Sequence, residues 1–328
     1  MREEIGCVRR RRHATMTSMP WQTTGDVSEF LAAAGAYLRR ERVRNTTILT
    51  VTEAMRVRSA GPPAGDPAAG DPASRPLFGW WSARSDPDDR GDPDGPHDPA
   101  AAAGQIAGAF MHTPPFPLVL AAAAPEIAAE LAAVTLAGRP LPGVNAHPEP
   151  AGAFAGAWQR ASGGGVRVHV NQRLYRLAEL SWPDPAPEGT GRIAADRDVP
   201  LLTEWFRAFA FEVHDLGRAS GRAADVRERV SYGGITIWEA GGEPVAIAGA
   251  TRQVAGMARI GPVYTPPGSR GRGYGSAATA AASQRLLAAG AEDVLLYTDL
   301  ANPVSNSIYQ RIGYRAVEDR VSLEFTAD

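Results

Sequence analysis

Short alternating or continuous apolar runs are interleaved along this chain with segments whose apolar residues recur at helical spacing, which predicts a mixed chain of strands and helices. Asp26 is placed to cap a helix from Val27 to about Val43, with Phe30, Leu31, Tyr37 and Leu38 as its apolar stripe. A second helix is expected over Thr46–Val57, although its threonine and valine content leaves a strand open. Strands are expected at Leu77–Ala83, Gln105–His112 and Leu118–Ala122, helices at Pro125–Ala137 and Glu149–Ala161, and a long alternating strand at Val166–Leu180. Pro- and Gly-rich Ser181–Gly191 reads as a linker. Beyond it the pattern gives a strand at Arg192–Ala194, a helix from Val199 to His214, a helix at Ala223–Val230, and strands at Ile235–Glu239, Pro244–Thr251 and Ala258–Thr265. A helix over Tyr274–Ala289 closes at Gly290, a good residue for a left-handed cap. Strand Val294–Thr298, helix Val304–Ile312 and a hairpin of Tyr314–Val317 with Val321–Phe325 complete the series.

Three stretches lack such a pattern. Residues 1–19 read as a disordered tail, and 59–76 and 85–103 are so rich in Gly, Pro, Ala, Asp and Ser that they are expected to be disordered loops inside a domain. An internal echo sets Ala109-Phe-Met-His-Thr-Pro-Pro115 beside Gly261-Pro-Val-Tyr-Thr-Pro-Pro267, so that the two halves read as copies of one unit. Only the second copy continues into a glycine turn with arginines.

The 328 residues, 44% of them hydrophobic, suffice for two ordinary cores. A net charge of −2 gives no general attraction to nucleic acid or acidic membranes. The single cysteine, Cys7, excludes internal disulfides and suits a reducing cytoplasm, and no apolar run reaches the length of a membrane span. Arg9–Arg12 is followed by no apolar segment of a signal peptide, and Met16 or Met19 would serve equally as a start. No His/Cys/Asp cluster has metal-ligand spacing.

Chemistry concentrates in Val263–Ser276, where an apolar strand ends at Pro266-Pro267 and a glycine-rich turn opens an alanine-rich helix. The first amides of a helix lack partners within it and sit at the positive end of its dipole. Gly271, Gly273 and Gly275 permit a tight turn and close approach of an anion, with Arg270 and Arg272 beside it, so a diphosphate is the natural ligand. A nucleotide-triphosphate loop of the Gly-Lys-Ser/Thr kind is excluded because the chain contains no lysine. A dinucleotide fingerprint fits poorly, since Asp293 precedes its strand rather than ending it.

The spacing Arg270-x-x-Gly273-x-Gly275 resembles the cofactor motif of the GNAT N-acetyltransferase superfamily. Asn302-Pro-Val-Ser305-Asn-Ser-Ile-Tyr309-Gln-Arg-Ile-Gly313-Tyr314 is similar to its second signature, with Ser305 for the usual alanine and Tyr314 for the phenylalanine. The resemblance covers about residues 190–328. It implies an α/β (α+β) fold of two GNAT-like lobes, each a mixed, mostly antiparallel sheet flanked by helices: a degenerate N-terminal lobe over 20–180, a linker over 181–191 and a catalytic domain over 192–328. It implies acetyl-CoA as cofactor, bound by the backbone of Val263, Tyr264 and Thr265, by Arg270, Gly271, Arg272, Gly273, Tyr274, Gly275 and Ser276, and by Asn302 and Ser305. It makes Tyr309 the acid that protonates the departing thiolate. Glu212 is the first choice of base on the helix bordering the acceptor; His214, Glu239 and Asp299 are further candidates. The expected reaction is acetyl transfer to a primary amine of a small molecule or peptide, with no nucleic acid or membrane partner and a homodimer left open. A non-catalytic acyl-CoA sensing module is the alternative.

Overall fold

The computed structural model describes residues 21–59, 74–83, 105–121, 124–213 and 222–326. Cys7, His214, the insert 85–103 and most of the insert 59–76 lie outside the described residues. The first half runs β1 (Gln22–Thr24), α1 (Val27–Arg40), α2 (Thr46–Ser59), β2 (Leu77–Ser82), β3 (Ile106–His112), β4 (Leu118–Ala121), α3 (Pro125–Glu130, continuing as a wider turn over Leu131–Thr135), β5 (Gly143–Ala146), α4 (Pro148–Ser162) and β6 (Gly165–Leu177). The second half repeats that order: β7 (Thr190–Ile193), α5 (Val199–Glu212), α6 (Ala223–Ser231), β8 (Ile235–Ala240), β9 (Glu243–Ala250), β10 (Met257–Tyr264), α7 (Tyr274–Ala288), β11 (Asp293–Asp299), α8 (Pro303–Arg311) and β12 (Tyr314–Thr326).

The strands among the described residues join one sheet in the order β1-β2-β3-β4-β5-β12-β6-β11-β10-β9-β8-β7, which reads as two half-sheets side by side in mirrored order. The last strand of each half crosses into the other. β6 pairs with β11 from Leu295↔Arg176 to Asp299↔Gln172, while β12 pairs with β5 from Val321↔Ala146 to Glu324↔Gly143. β6 and β12 also pair with each other along their whole length.

Side-chain alternation divides the core into two layers. On the front, α1 and α2 cover Phe78, Met111, Leu174, Met257 and Leu295, and α5 and α6 cover Ile235, Ile237, Ile247 and Tyr264. On the back, α3 and α4 pack on Phe110, Leu120, Val144 and Leu323, and α7 packs on Ala248, Ile260, Val294 and Leu296. The local reasons follow the sequence. Asp26 Oδ1 accepts from the amides of Ser28 (2.6 Å) and Glu29 (3.1 Å), which starts α1, and Phe30 then stacks on Phe78 at 5.2 Å. In α7, Ala277, Ala278, Ala280, Ala281 and Ala282 are all buried, so this helix lies close against the sheet.

The halves are also tied by ion pairs. Arg42, in the turn after α1, reaches Glu292 at 2.6 Å and Asp293 at 2.9 Å, and Arg176 of β6 reaches Asp293 at 2.5 Å. Asp293, weighed above as the acidic residue of a dinucleotide fingerprint, is therefore a buried structural carboxylate.

Several expectations change. Thr46–Ser59 is helical, resolving the open choice. The expected C-terminal hairpin is one 13-residue strand with register shifts at Ala316/Glu318 and Ser322/Leu323. β1 and β5 were not expected. The seven-residue echo pairs β3 with β10, yet by element order β3 corresponds to β9 and β4 to β10, and Thr113-Pro114-Pro115 leads into a strand rather than a helix. The halves do repeat one order of elements, but that match falls at non-equivalent places.

His112 at the end of β3 is fully buried and accepts from Arg139 Nε at 2.9 Å through Nδ1, which fixes the neutral ring with its proton on Nε2. Burial, and then the Arg139 charge, push its pKa down to about 4. Unfolded chains take up the histidine proton near pH 6.5 and the folded protein does not until about pH 4, so stability falls as pH drops through that window. Denaturant titrations from pH 7 to pH 4 should show a loss of up to about 3 kcal/mol that is absent in His112→Gln. An unchanged slope in the variant would remove the assignment.

Candidate functional site

The site starts where β10 leaves β11. The two strands pair in parallel from Met257↔Asp293 to Ile260↔Leu296 and no further. Against β9 the register of β10 shifts between Ile260 and Val263, a bulge at Gly261 with φ 151°. Because the bulge inserts a residue, the facing of side chains inverts: Ile260 and Val263 both pack in the back layer, and Tyr264 packs in the front. β11 continues as Tyr297, Thr298 and Asp299, bonded on its other edge to β6 but not to β10. A gap between parallel strands results, with the backbone of Val263 to Thr265 along one side.

At the end of that edge the chain turns through Pro267–Ser269 into α7. Gly271 (φ 75°) and Gly273 (φ 79°) occupy the left-handed region, which aims successive amides into one concavity. Among the described residues, none of the amides from Gly271 to Ser276 donates to a backbone acceptor, and Gly273 brings no capping side chain. A Cβ on Gly275 would stand 3.0 Å from Thr265 Oγ1, so the helix start lies tight against the strand end. The side chains of Tyr274 and Ser276 are buried, and their contribution to the concavity is their amides.

The structure brings Arg270 and Glu212 together in a way the sequence did not suggest. Arg270 Nη2 donates to both carboxylate oxygens of Glu212, at 2.6 and 2.8 Å, and its Nε donates to Thr265 O at 2.9 Å. Its guanidinium also stands 5.9 Å from the Tyr264 ring, whose hydroxyl pKa is raised chiefly by burial. Arg270 thus staples the turn to the end of α5, while Arg272 is exposed. Both carboxylate oxygens of Glu212 are thus engaged by the Arg270 guanidinium rather than turned toward an acceptor. The other candidate carboxylates are engaged as well: Glu239 with Arg192 at 2.7 Å, and Asp299 Oδ1 with the Ala301 amide at 2.8 Å.

Asn302 caps α8, its Oδ1 accepting from the Ser305 amide at 3.0 Å, so both residues act first as the start of that helix. Tyr309 lies one turn on from Ser305. Its ring meets Tyr314 edge-on at 6.2 Å, and Tyr314 shares a 2.8 Å hydrogen bond with Ser283 of α7. Among the described residues the Tyr309 hydroxyl makes no hydrogen bond, and burial pushes its pKa up to about 12, so it stays protonated at neutral pH. On the front of the gap, Arg259, Tyr297 and Arg229 gather beside Gly261, none of which the sequence reading singled out. The one signal was a charged residue on the same side of its strand as buried Met257. No group of three or more His, Cys, Asp or Glu that would hold a metal occurs among the described residues, nor any helix long and apolar enough to cross a membrane.

Comparisons with known proteins agree with this geometry. The family model described as the acetyltransferase (GNAT) family matches residues 199–314, which span α5 to the start of β12. Among solved structures, a protein from Drosophila is similar over 93% of this chain and 98% of its own, at 14% identity and a TM-score of 0.62. A GCN5-related N-acetyltransferase from Sphaerobacter thermophilus covers 93% of this chain and 95% of its own, at 15% identity and a TM-score of 0.54. An acetyltransferase from the GNAT family from Colwellia psychrerythraea covers 94% and 100%, at 11% identity and a TM-score of 0.51. These likenesses show that the fold of the whole chain, both halves together, is shared. A search of curated proteins finds no match.

Arg270 and Glu212 are about half exposed, so their pair contributes only about 0–1 kcal/mol to global stability. Arg270→Ala should therefore barely shift the denaturation midpoint. It should nevertheless speed amide hydrogen exchange selectively over Thr265–Gly273, and unaltered exchange there would show that the staple does not hold the turn.

Proposed function

Taking as premise that residues 199–314 form a domain of the acetyltransferase (GNAT) family, we propose that this protein transfers an acetyl group from acetyl-CoA to a primary amine. The observation that carries the reading is the parting of β10 from β11 directly before a turn of unpartnered amides at the start of α7. When bound, acetyl-CoA supplies a thioester whose carbonyl carbon is open to an amine.

The chain's own residues have these roles. The amides from Gly271 to Ser276, at the positive end of α7, hold the diphosphate, and exposed Arg272 adds charge beside it. The edge Val263–Thr265 lines the pantetheine arm, and the Thr265 amide, which has no backbone acceptor among the described residues, is free to bond along it. Arg270 shapes the turn, and Glu212 holds Arg270, a positioning role in place of the expected base. Tyr309 is the acid. The amine nitrogen forms its bond to the carbonyl carbon, the carbon–sulfur bond breaks, and the Tyr309 hydroxyl gives its proton to the departing thiolate. A phenol with a pKa of about 12 loses no proton at neutral pH, so the acid is loaded whenever the site fills. The proton that the amine loses passes through water and restores the Tyr309 phenol.

Calorimetric titration with CoA tests the cradle. Gly273→Asp sets a carboxylate at the residue that caps α7 and should weaken CoA binding by about tenfold or more, or ~1.4 kcal/mol. Wild-type protein that binds neither CoA nor acetyl-CoA would sink the reading. Turnover tests the acid: Tyr309→Phe should lower kcat by about a hundredfold while leaving the CoA dissociation constant unchanged. An unaltered kcat would remove Tyr309 from the chemistry.

A further inference from the structure

Arg259 lies one residue before Ile260, the last residue of β10 to pair with β11, and its side chain faces the front, where α2 and α6 flank the gap. Its guanidinium is partly buried. Its partners are Thr47 Oγ1 of α2 at 3.0 Å and the Tyr297 ring, 5.8 Å from centroid to guanidinium carbon. No carboxylate among the described residues pairs with it. The charged group that acts on it is a second arginine, Arg229 of α6, which donates to Gly261 O at 3.2 Å and lies over the Phe206 ring at 5.7 Å. Beside them the Tyr297 hydroxyl is buried without a hydrogen-bond partner. Thr47 belongs to the first turn of α2, so the positive end of that helix dipole faces the same place.

The acceptors here, Thr47 Oγ1 for Arg259 and the Gly261 and Ala250 carbonyls for Arg229, are all neutral, and no carboxylate among the described residues pairs with either arginine. A guanidinium withdrawn from water without an anion is costly, and burial lowers the pKa of Arg259 accordingly. Two arginines and an orphaned phenol therefore define the shape of an absent acceptor: an anionic oxygen group held by a planar fork. The cluster borders the front of the gap, while the amide cradle of α7 lies on the back. An anion on Arg259 would leave an amine a few bonds away pointing into the gap.

We propose that the acceptor amine also carries an anionic oxygen group, a carboxylate or a phosphate monoester, and that Arg259, assisted by Arg229 and Tyr297, binds it. The inference rests on the transferase reading for the meaning of the amine, and on the cluster alone for the anion. The first half thereby serves the site of the second, since Thr47 of α2 holds Arg259.

The test uses the full chain loaded with acetyl-CoA for turnover, or with CoA for binding by saturation-transfer NMR. Matched probes are free amino acids against their C-terminal amides, and phosphoethanolamine against ethanolamine; whichever anionic series wins identifies the group. The anionic member should be preferred by about tenfold or more in kcat/KM, and Arg259→Gln should abolish that preference with the CoA dissociation constant unchanged. Tyr297→Phe, which keeps the packing, should reduce it in part. Anionic probes that bind in an Arg259-dependent way without being acetylated would sustain the anion site and sink the transferase reading. Acetylation that does not discriminate anionic from neutral partners, or that discriminates equally in Arg259→Gln, would overturn the anion site and leave the transferase standing. Absence of Arg259-dependent binding in any probe would overturn the site as well.

Discussion

The exchange of final strands is the constraint on which the rest of the structure depends. A strand edge must satisfy its amides and carbonyls, and β11 does so on one side through β6, which belongs to the first half of the chain. That pairing extends to Tyr297, Thr298 and Asp299, the part of β11 that β10 has abandoned. With one edge saturated, β11 runs on as a strand while β10 bulges at Gly261 and departs. A gap between parallel strands is stable only if the strand that stays is held from its far side. The two halves are therefore not independent modules joined by a linker: removing the first would strip β6 from the strand that frames the candidate site.

The same element order has been put to different uses in the two halves. β4 and β5 are the first-half counterparts of β10 and β11, and they too pair in parallel only briefly, at Leu118↔Val144 and Val119↔Asn145. Just beyond, the buried guanidinium of Arg320 donates to Leu120 O at 3.1 Å and Asn145 O at 3.0 Å, with Nε on Asn145 Oδ1 at 2.9 Å. A side chain from β12 occupies the place where the strands begin to part. Between Ala121 and Pro125 there are only alanines, with neither the glycines nor the arginines of 270–275. The place where β4 and β5 part is filled by the chain itself, whereas the parting of β10 from β11 is followed by the glycine turn.

What could be read from the sequence was what depends on neighbours in sequence. The turn at 270–275 shows itself because left-handed residues and an unpartnered helix start are local demands that glycine meets. The helices α1, α4 and α7 announced themselves through a cap, a stripe or an alanine run. The three residues of β1 and four of β5 are too short for a period to register, and their strand character comes from partners far along the chain. Glu318-Asp319-Arg320 looked like a turn because three charged residues rarely sit mid-strand. They are accommodated because Asp319 pairs with Arg173 at 2.6 Å and Arg320 finds carbonyls inside. Glu212 and Arg270 are 58 residues apart, so that base and cradle would prove to be partners was invisible without coordinates.

The electrostatics of the buried arginines give the last step. Several withdrawn guanidinium groups of this chain have acceptors: Arg320 has two carbonyls and an amide oxygen, and Arg285 has Thr236 Oγ1 at 2.6 Å and Gly233 O at 2.9 Å. Arg192 has two carboxylates, Asp198 and Glu239. Arg259 has one hydroxyl and a ring, and Arg252 lies over the Tyr232 ring with its buried Nε unpartnered; Arg259 differs in lying beside the gap. An apolar side chain facing Leu295 and Tyr297 would pack at this position without the desolvation cost of an unneutralised charge. On the proposed reading the missing acceptor arrives with the substrate, which would set its amine on the front of the sheet and leave the back to the amide cradle of α7.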